Sequence, residues 1–216
     1  MSESLRLRIT EIFHSLQGEG LSAGERTAFV RLTGCPLRCG YCDTEYAFRG
    51  GRWMEIPEIL AAIAPFAVDY VCVTGGEPLA QRNCPALLTD LCDAGYRVSL
   101  ETAGAFDITR LDPRVVRVMD IKTPASGECE RNLWSNLGHL RPDDQVKLVL
   151  CDEADYRWAA EQVMAYGIAR RCSVLFSPAA GQLDPGLLGD WILRDRLPVR
   201  LQIQLHKVLW GEARGR

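Results

Sequence analysis

Seven short apolar runs set the main constraint on this chain: residues 27–33, 70–74, 97–101, 115–121, 146–150, 173–176 and 200–204. Several are almost unbroken β-branched or aliphatic stretches, the pattern of strands covered on both faces in a parallel sheet. Helical segments lie between them. One begins near Pro57, with Ile56, Ile59, Leu60 and Ile63 at helical spacing and proline in the first turn. A second spans about 85–94, with Leu87, Leu88 and Leu91 inward and Gly95 as C-cap. A third covers about 153–166, between an Asp152 N-cap and a Gly167 stop, and 184–194 is a fourth candidate. The crossovers after Glu101 and Ile121 read as short or irregular. Alternating strands and helices predict parallel βα units. A complete eight-stranded barrel takes about 250 residues, so 216 leave room for about six units. The expected architecture is α/β, one domain over residues 1–216. It is an open, partial (β/α)6-type barrel with some helices reduced, and its site lies at the C-terminal ends of the strands.

Composition narrows the function. A hydrophobic fraction of 47% is that of an ordinary globular chain, and a net charge of −3 gives no broad basic surface for nucleic acid. The basic end, residues 214–216, reads as solvated. No run approaches the roughly 18 apolar residues of a membrane span, and the first residues lack the apolar core of a signal peptide. The expectation is a cytoplasmic protein with no membrane or nucleic-acid partner. Nine cysteines in such a compartment serve as metal ligands, catalysts or core residues.

The most informative segment follows the run at 27–33: Gly34-Cys35-Pro36-Leu37-Arg38-Cys39-Gly40-Tyr41-Cys42-Asp43-Thr44. Gly34, Pro36 and Gly40 oppose helix, so the C-x3-C-x2-C spacing sits on a loop able to wrap an inorganic centre. Three thiolates would leave one iron of a [4Fe–4S] cluster open to a substrate or cofactor. The alternatives are zinc, which wants four ligands and for which His14 is a spatial candidate, or plain core thiols. Cys72, Cys92, Cys151 and Cys172 read as small apolar side chains, while Cys84 and Cys129 stay unassigned. Thr74-Gly75-Gly76-Glu77-Pro78-Leu79 ends the second run, where glycines admit a ligand to the backbone and Glu77 could accept from an ammonium group; a simple turn is the alternative. Glu101, Asp120-Ile121-Lys122-Thr123-Pro124 and Ser177 end later runs and point toward the same mouth.

With Tyr41 in its aromatic position, the cysteine spacing resembles the C-x3-C-x-aromatic-C motif of the radical S-adenosylmethionine (SAM) superfamily, and the Gly-Gly-Glu-Pro segment resembles that superfamily's SAM-amino-group motif. The resemblance implies a [4Fe–4S] cluster on Cys35, Cys39 and Cys42. It also implies SAM held by Tyr41, Gly76, Glu77, Glu101 and Lys122, and a reducing electron donor such as flavodoxin or ferredoxin. Glu11-Ile12-Phe13-His14-Ser15-Leu16-Gln17-Gly18-Glu19-Gly20, together with Arg31, Cys42-Asp43-Thr44, the 120–124 segment and Gln204-Leu205-His206-Lys207, resembles the 7-carboxy-7-deazaguanine synthase family. That likeness runs from near the start almost to the end of the chain. It implies ring contraction of 6-carboxy-5,6,7,8-tetrahydropterin with loss of ammonia, in queuosine and deazapurine biosynthesis, by a homodimer.

In that setting Gln17 would meet a pterin edge, with Leu16 and Gly18 laying backbone against the ring. Arg31 would pair with the substrate carboxylate, Thr74 would touch substrate, and Thr44 would offer a hard oxygen to Mg²⁺; the alternatives are a plain turn at Gln17-Gly18, an ordinary ion pair at Arg31 and a cap at Thr44. No side chain is assigned as acid or base. The final GEARGR does not align with the family's substrate-binding tails. Competing expectations are a glycyl-radical enzyme activase, and a noncatalytic metal or electron-transfer module.

Overall fold

The computed structural model describes residues 5–215; the expectations for residues 1–4 and for Arg216 lie outside them. The strands are β1 (Arg6–Leu16), β2 (Arg26–Leu32), β3 (Arg52–Glu55), β4 (Tyr70–Gly75), β5 (Arg97–Thr102), β6 (Val116–Asp120), β7 (Gln145–Leu150), β8 (Ser173–Pro178) and β9 (Arg200–Leu201). The helices are α1 (Ile56–Ile63), α2 (Cys84–Asp93), α3 (Glu153–Ala165), α4 (Pro185–Asp195) and α5 (Leu205–Trp210). All strands join one open nine-stranded sheet in the order β3-β1-β2-β4-β5-β6-β7-β8-β9. β2 and β4 to β9 run parallel, while β1 is antiparallel to both β2 and β3.

The seven apolar runs become the seven parallel strands, with one shortening. The run at 200–204 keeps only Arg200 and Leu201 in the ladder, because the chain departs from β8 after the Gln202 N–Phe176 O bond, with Gln204 turning inward to Glu19. The expected first strand is in fact the second. Residues 11–16, within the segment that resembles the synthase family, belong to the long strand β1, which sequence periodicity hides. Leu7 and Ile9 face the helix-covered core, the β1–β2 register then shifts between Ile9 and Glu11, and Ile12 is the next residue to reach that core. Such a bulge puts one extra residue, here Thr10, opposite the partner strand and swaps the faces beyond it. Apolar positions therefore change parity mid-strand, and no clean alternation survives.

Two apolar layers pack outside the sheet. The first joins β1, β2, β4 and β5 to α1 and α2 through residues such as Leu7, Val30, Val73, Ile59 and Leu88. The second joins β6 to β8 with α3 and α4 through Val146, Leu148, Phe176, Tyr156 and Leu188. α1 buries Ile56, Ile59 and Ile63, and Asp152 caps α3 by accepting from Asp155 N. No α-helix follows β5 or β6, where the sequence looked irregular. After β6 short 3-10 turns at Pro124–Ser126, Cys129–Arg131 and Trp134–His139 replace it, while the β5–β6 connection holds no helix of either kind. There the buried Asn136 amide donates to the Gly104 and Phe106 carbonyls. Among the described residues no helix is long and apolar enough to cross a membrane.

Candidate active site

The sheet curls around a cavity of about 480 Å³. Its wall is set by strand parity. Arg31, Thr74, Glu101, Asp120, Lys147 and Ser177, one from each of β2 and β4 to β8, all line it. A charged side chain inside an apolar strand points either into the lumen, as Lys147 does, or into a buried ion pair, as Arg117 does with Asp144. The run around Lys147 carries that signal.

At the C-terminal ends of the strands the cysteine loop forms one rim. Cys35, Cys39 and Cys42 are free, half-buried thiols lining the cavity. Burial pushes the Cys35 and Cys39 thiols up, while the nearby Lys122 ammonium opposes it. Among the described residues no three His, Cys, Asp or Glu side chains converge on one point as a single ion requires. A cubane is larger than an ion and takes thiolates that stand farther apart, and soft sulfur donors suit iron–sulfur chemistry. The donor set therefore fits a cluster. His14, the spatial candidate for a zinc ligand, is exposed and stacks on Phe66 at 5.6 Å, away from the loop.

The Gly-Gly-Glu-Pro turn is built against this loop. Gly76 N donates to Leu32 O and Glu77 N to Gly34 O, at 3.2 and 2.9 Å. A Cβ on Gly76 would overlap the Gly34 carbonyl and crowd Cys35 Cβ, so glycine is needed here for packing whatever binds above it. The expected place of Glu77 is corrected. It is fully buried and does not line the cavity, because its oxygens accept from Leu79 N, Thr102 Oγ1 and Ala103 N. Glu77 ties the turn to the end of β5; burial holds its carboxyl above the usual range despite those donors.

A chain of buried charges crosses the lumen. Lys122 Nζ lies 2.6 Å from Asp120 Oδ2 and 5.8 Å from the Tyr41 ring. Lys147 Nζ lies 3.5 Å from Asp120 Oδ1 and 2.6 Å from Glu19 Oε2. Burial favours neutral amines, yet Asp120 raises both lysines, assisted by Tyr41 at Lys122 and by Glu19 and Glu101 at Lys147. Burial pushes the Tyr41 phenol up, and its buried hydroxyl has no partner among the described residues. Glu101 accepts from Thr74 Oγ1 at 2.8 Å and is itself raised by burial.

The opposite end of the lumen is floored by the β1–β2 connection. Because Leu16 pairs with Arg26 at the start of β2, residues 17–25 lie at the N-terminal end of the parallel strands. From there they reach across the open barrel: Gly20 N donates to Gln202 Oε1 at 2.6 Å and Leu21 N to Gln145 Oε1 at 2.9 Å. Glu19 accepts from Gln204 Nε2 at 2.8 Å as well as from Lys147. Gln17 is buried, and Leu16, Gln17 and Gly18 all line the cavity. Gly18 lies so close to the His206 imidazole that a side chain would collide with it, which accounts for its pairing with the start of α5.

Arg31 lies between the Phe13 and Tyr46 rings, 5.7 and 5.9 Å from their centroids, and its Nε is already bonded to Glu11. Thr44 Oγ1 donates to Asp43 Oδ1 at 3.0 Å, and both line the cavity. Arg214 is exposed, as expected of the basic end. Residues 211–215 line the mouth, with the Arg214 guanidinium 4.3 Å from the Tyr46 ring. Phe13, Phe29, Tyr46, Glu19, Lys147 and Gln204 are among the cavity residues that sequence reasoning did not assign.

The Radical SAM superfamily profile matches residues 29–120, from β2 to the end of β6. A 7-carboxy-7-deazaguanine synthase from Chlorobaculum tepidum is 48% identical over the whole of both chains. One from Koribacter versatilis is 42% identical over 94% of this chain and 97% of its own. The crystal structure of QueE from Escherichia coli shares the fold at a TM-score of 0.75, with 22% identity over 94% of this chain and 95% of that one. Full-length relatedness of this kind, around a lumen with the cysteine loop at one end and the Leu16–Gly18 backbone at the other, places the chain in the 7-carboxy-7-deazaguanine synthase family of the radical SAM superfamily.

Proposed function

We propose that this protein converts 6-carboxy-5,6,7,8-tetrahydropterin to 7-carboxy-7-deazaguanine with release of ammonia, a step of queuosine and deazapurine biosynthesis. The observation carrying this reading is the meeting, in one cavity of about 480 Å³, of the three cysteines with Leu16, Gln17, Gly18, Arg31 and Thr74. The relatives' shared name favours this reading over the activase and over a noncatalytic module.

Cys35, Cys39 and Cys42 would hold the [4Fe–4S] cluster, with Tyr41, the Gly76 backbone, Glu101 and Lys122 around SAM. Glu77 acts one step back, by fixing the turn that carries Gly76. When bound, cluster and SAM would supply the radical chemistry for hydrogen abstraction from the substrate. Loss of ammonia alone balances substrate against product, so the conversion is redox-neutral and SAM can be regenerated. The protein's part is to orient and to exclude water. Gln17 and the backbone at Leu16 and Gly18 set the depth of the ring, and Phe13 and Phe29, stacked at 4.8 Å, give it an apolar wall. Arg31 takes the carboxylate, Thr74 stands beside it across the β2–β4 register, and Thr44 offers an oxygen to Mg²⁺.

The nine free cysteines suit a reducing cytoplasm, where flavodoxin or ferredoxin would supply the electron. Exposed Leu201, Ile203, Val208 and Leu209 beside β9 suit a homodimer edge. The chain is read as one domain.

The test is anaerobic turnover of iron-reconstituted protein with SAM, reductant, Mg²⁺ and the carboxypterin, followed by mass spectrometry. 7-Carboxy-7-deazaguanine is the expected product. Release of 5′-deoxyadenosine without it would discard the substrate; no SAM cleavage by protein with an intact cluster would discard the radical chemistry.

A further inference from the structure

Arg31 does not stand alone on its strand. Glu11 is its direct partner in the β1–β2 register, brought there by the register shift at Ile9. Without the shift, continuing the Ile9–Leu32 pairing would set Thr10 opposite Arg31 and turn Glu11 to the outer face. The shift thus aims a carboxylate at the guanidinium, as bulges next to sites commonly re-aim side chains. Arg31 Nε donates to Glu11 Oε1 at 2.7 Å, and Tyr46 Oη donates to the same oxygen at 2.8 Å. The pair is mostly buried, with side-chain exposures of 16% and 23%. Arg31, Phe13 and Tyr46 line the cavity, whereas Glu11 stands behind them.

A guanidinium has two edges for planar anions. Glu11 takes the Nε side with one oxygen, and neither Nη has a hydrogen-bond partner among the described residues. The Phe13 and Tyr46 rings lie 5.7 and 5.9 Å from the guanidinium carbon. What remains is a fork without a protein partner on a residue that lines the lumen.

We infer that Glu11, aimed by the bulge and steadied by Tyr46, is a positioning residue that holds the Arg31 fork for the substrate carboxylate and so makes the site select carboxylated pterins. This rests on the substrate reading above. Glu11 also has an opposing effect, since its charge competes with an incoming carboxylate. The two effects separate by substitution. Glu11→Ala removes both orientation and charge, whereas Glu11→Gln removes the charge but keeps an acceptor for Nε.

The experiment measures anaerobic binding of two probes to cluster-loaded, SAM-bound protein by equilibrium dialysis. One probe is 6-carboxy-5,6,7,8-tetrahydropterin; the other is tetrahydropterin without the carboxylate. Glu11→Ala should cut the preference for the carboxylated probe about tenfold, as loss of an aligned charged hydrogen bond would. Its effect on the plain pterin should be small. Glu11→Gln should keep the preference within about threefold, and Tyr46→Phe should cost about threefold. An unchanged or increased preference in Glu11→Ala overturns the inference, the increase showing Glu11 to be only a competitor. If that variant does not fold, an unchanged preference in Tyr46→Phe does the same. Wild-type protein that binds neither probe instead overturns the substrate reading, and the inference falls with it.

Discussion

At the upper rim, Cys35, Cys39 and Cys42 lie within one short loop, and the turn that packs on them follows directly from the next parallel strand. At the floor, Glu19 draws its partners from Lys147, Gln202 and Gln204, which are 128, 183 and 185 residues away. The rim is a backbone construction, held by main-chain hydrogen bonds and the absence of a side chain at Gly76. The floor is a side-chain construction, held by buried charge. A rim of the first kind tolerates little change in shape, while a floor of the second kind tolerates shape but not the loss of a charge.

The largest expected effects test the rim. Cys35→Ala, Cys39→Ala and Cys42→Ala should each abolish cleavage of SAM to 5′-deoxyadenosine and the visible absorbance of the cluster. Cleavage retained in any one of them removes that residue from the ligand set.

Gly76→Ala comes next. Its Cβ must displace Gly34 or Cys35, so stability should fall by about 1–3 kcal/mol, as overpacked sites do, and iron bound per chain should drop with it. Thermal melting and iron analysis together check this. Full iron loading at unchanged Tm would show that the rim is not set by this close approach.

Lys147→Met probes the floor and should leave the cluster absorbance intact. Removing the ammonium leaves Glu19 without its cationic partner, while Asp120 keeps Lys122, at a cost of about 3 kcal/mol near neutral pH. Affinity for the pterin should fall about tenfold by the loss of one charged contact that orients Glu19. In the wild type, burial opposes ionisation of Glu19, but Lys147 and Gln204 prevail and hold its carboxyl below the usual 4.5. A lowered carboxylate stabilises the fold above that value and loses the contribution as pH falls through the folded one. In Lys147→Met burial prevails and raises the Glu19 carboxyl, so its charge destabilises near neutral pH and protonation relieves this; the stability gap from wild type therefore narrows on acidification. Urea midpoints between about pH 3 and 7 measure it, and a gap independent of pH would mean Glu19 is not held by Lys147.

The same contrast explains what could be read in advance. The parallel strands, α1 to α4, the reduced crossovers and the cysteine loop all carry local patterns: apolar runs, caps, spacing. β1 escaped because its bulge changes the parity of its apolar residues, and β9 was overextended because the chain departs from β8 after the Gln202 N–Phe176 O bond, with Gln204 turning to the floor. Glu77 looked like a ligand-binding acid because its motif does, but its burial follows from Thr102 and Ala103 on the next strand.

The sequence by itself determined the layered α/β architecture and the placing of three thiols on a loop after a strand, since both follow from nearest-neighbour chemistry along the chain. Only the tertiary structure decided that Glu11 backs Arg31, that Lys147 joins Glu19 to Asp120, and that residues 17–21 floor the lumen. Those pairings are fixed by strand register and by the curl of the sheet, which bring together charges too far apart in sequence for any local pattern to record them.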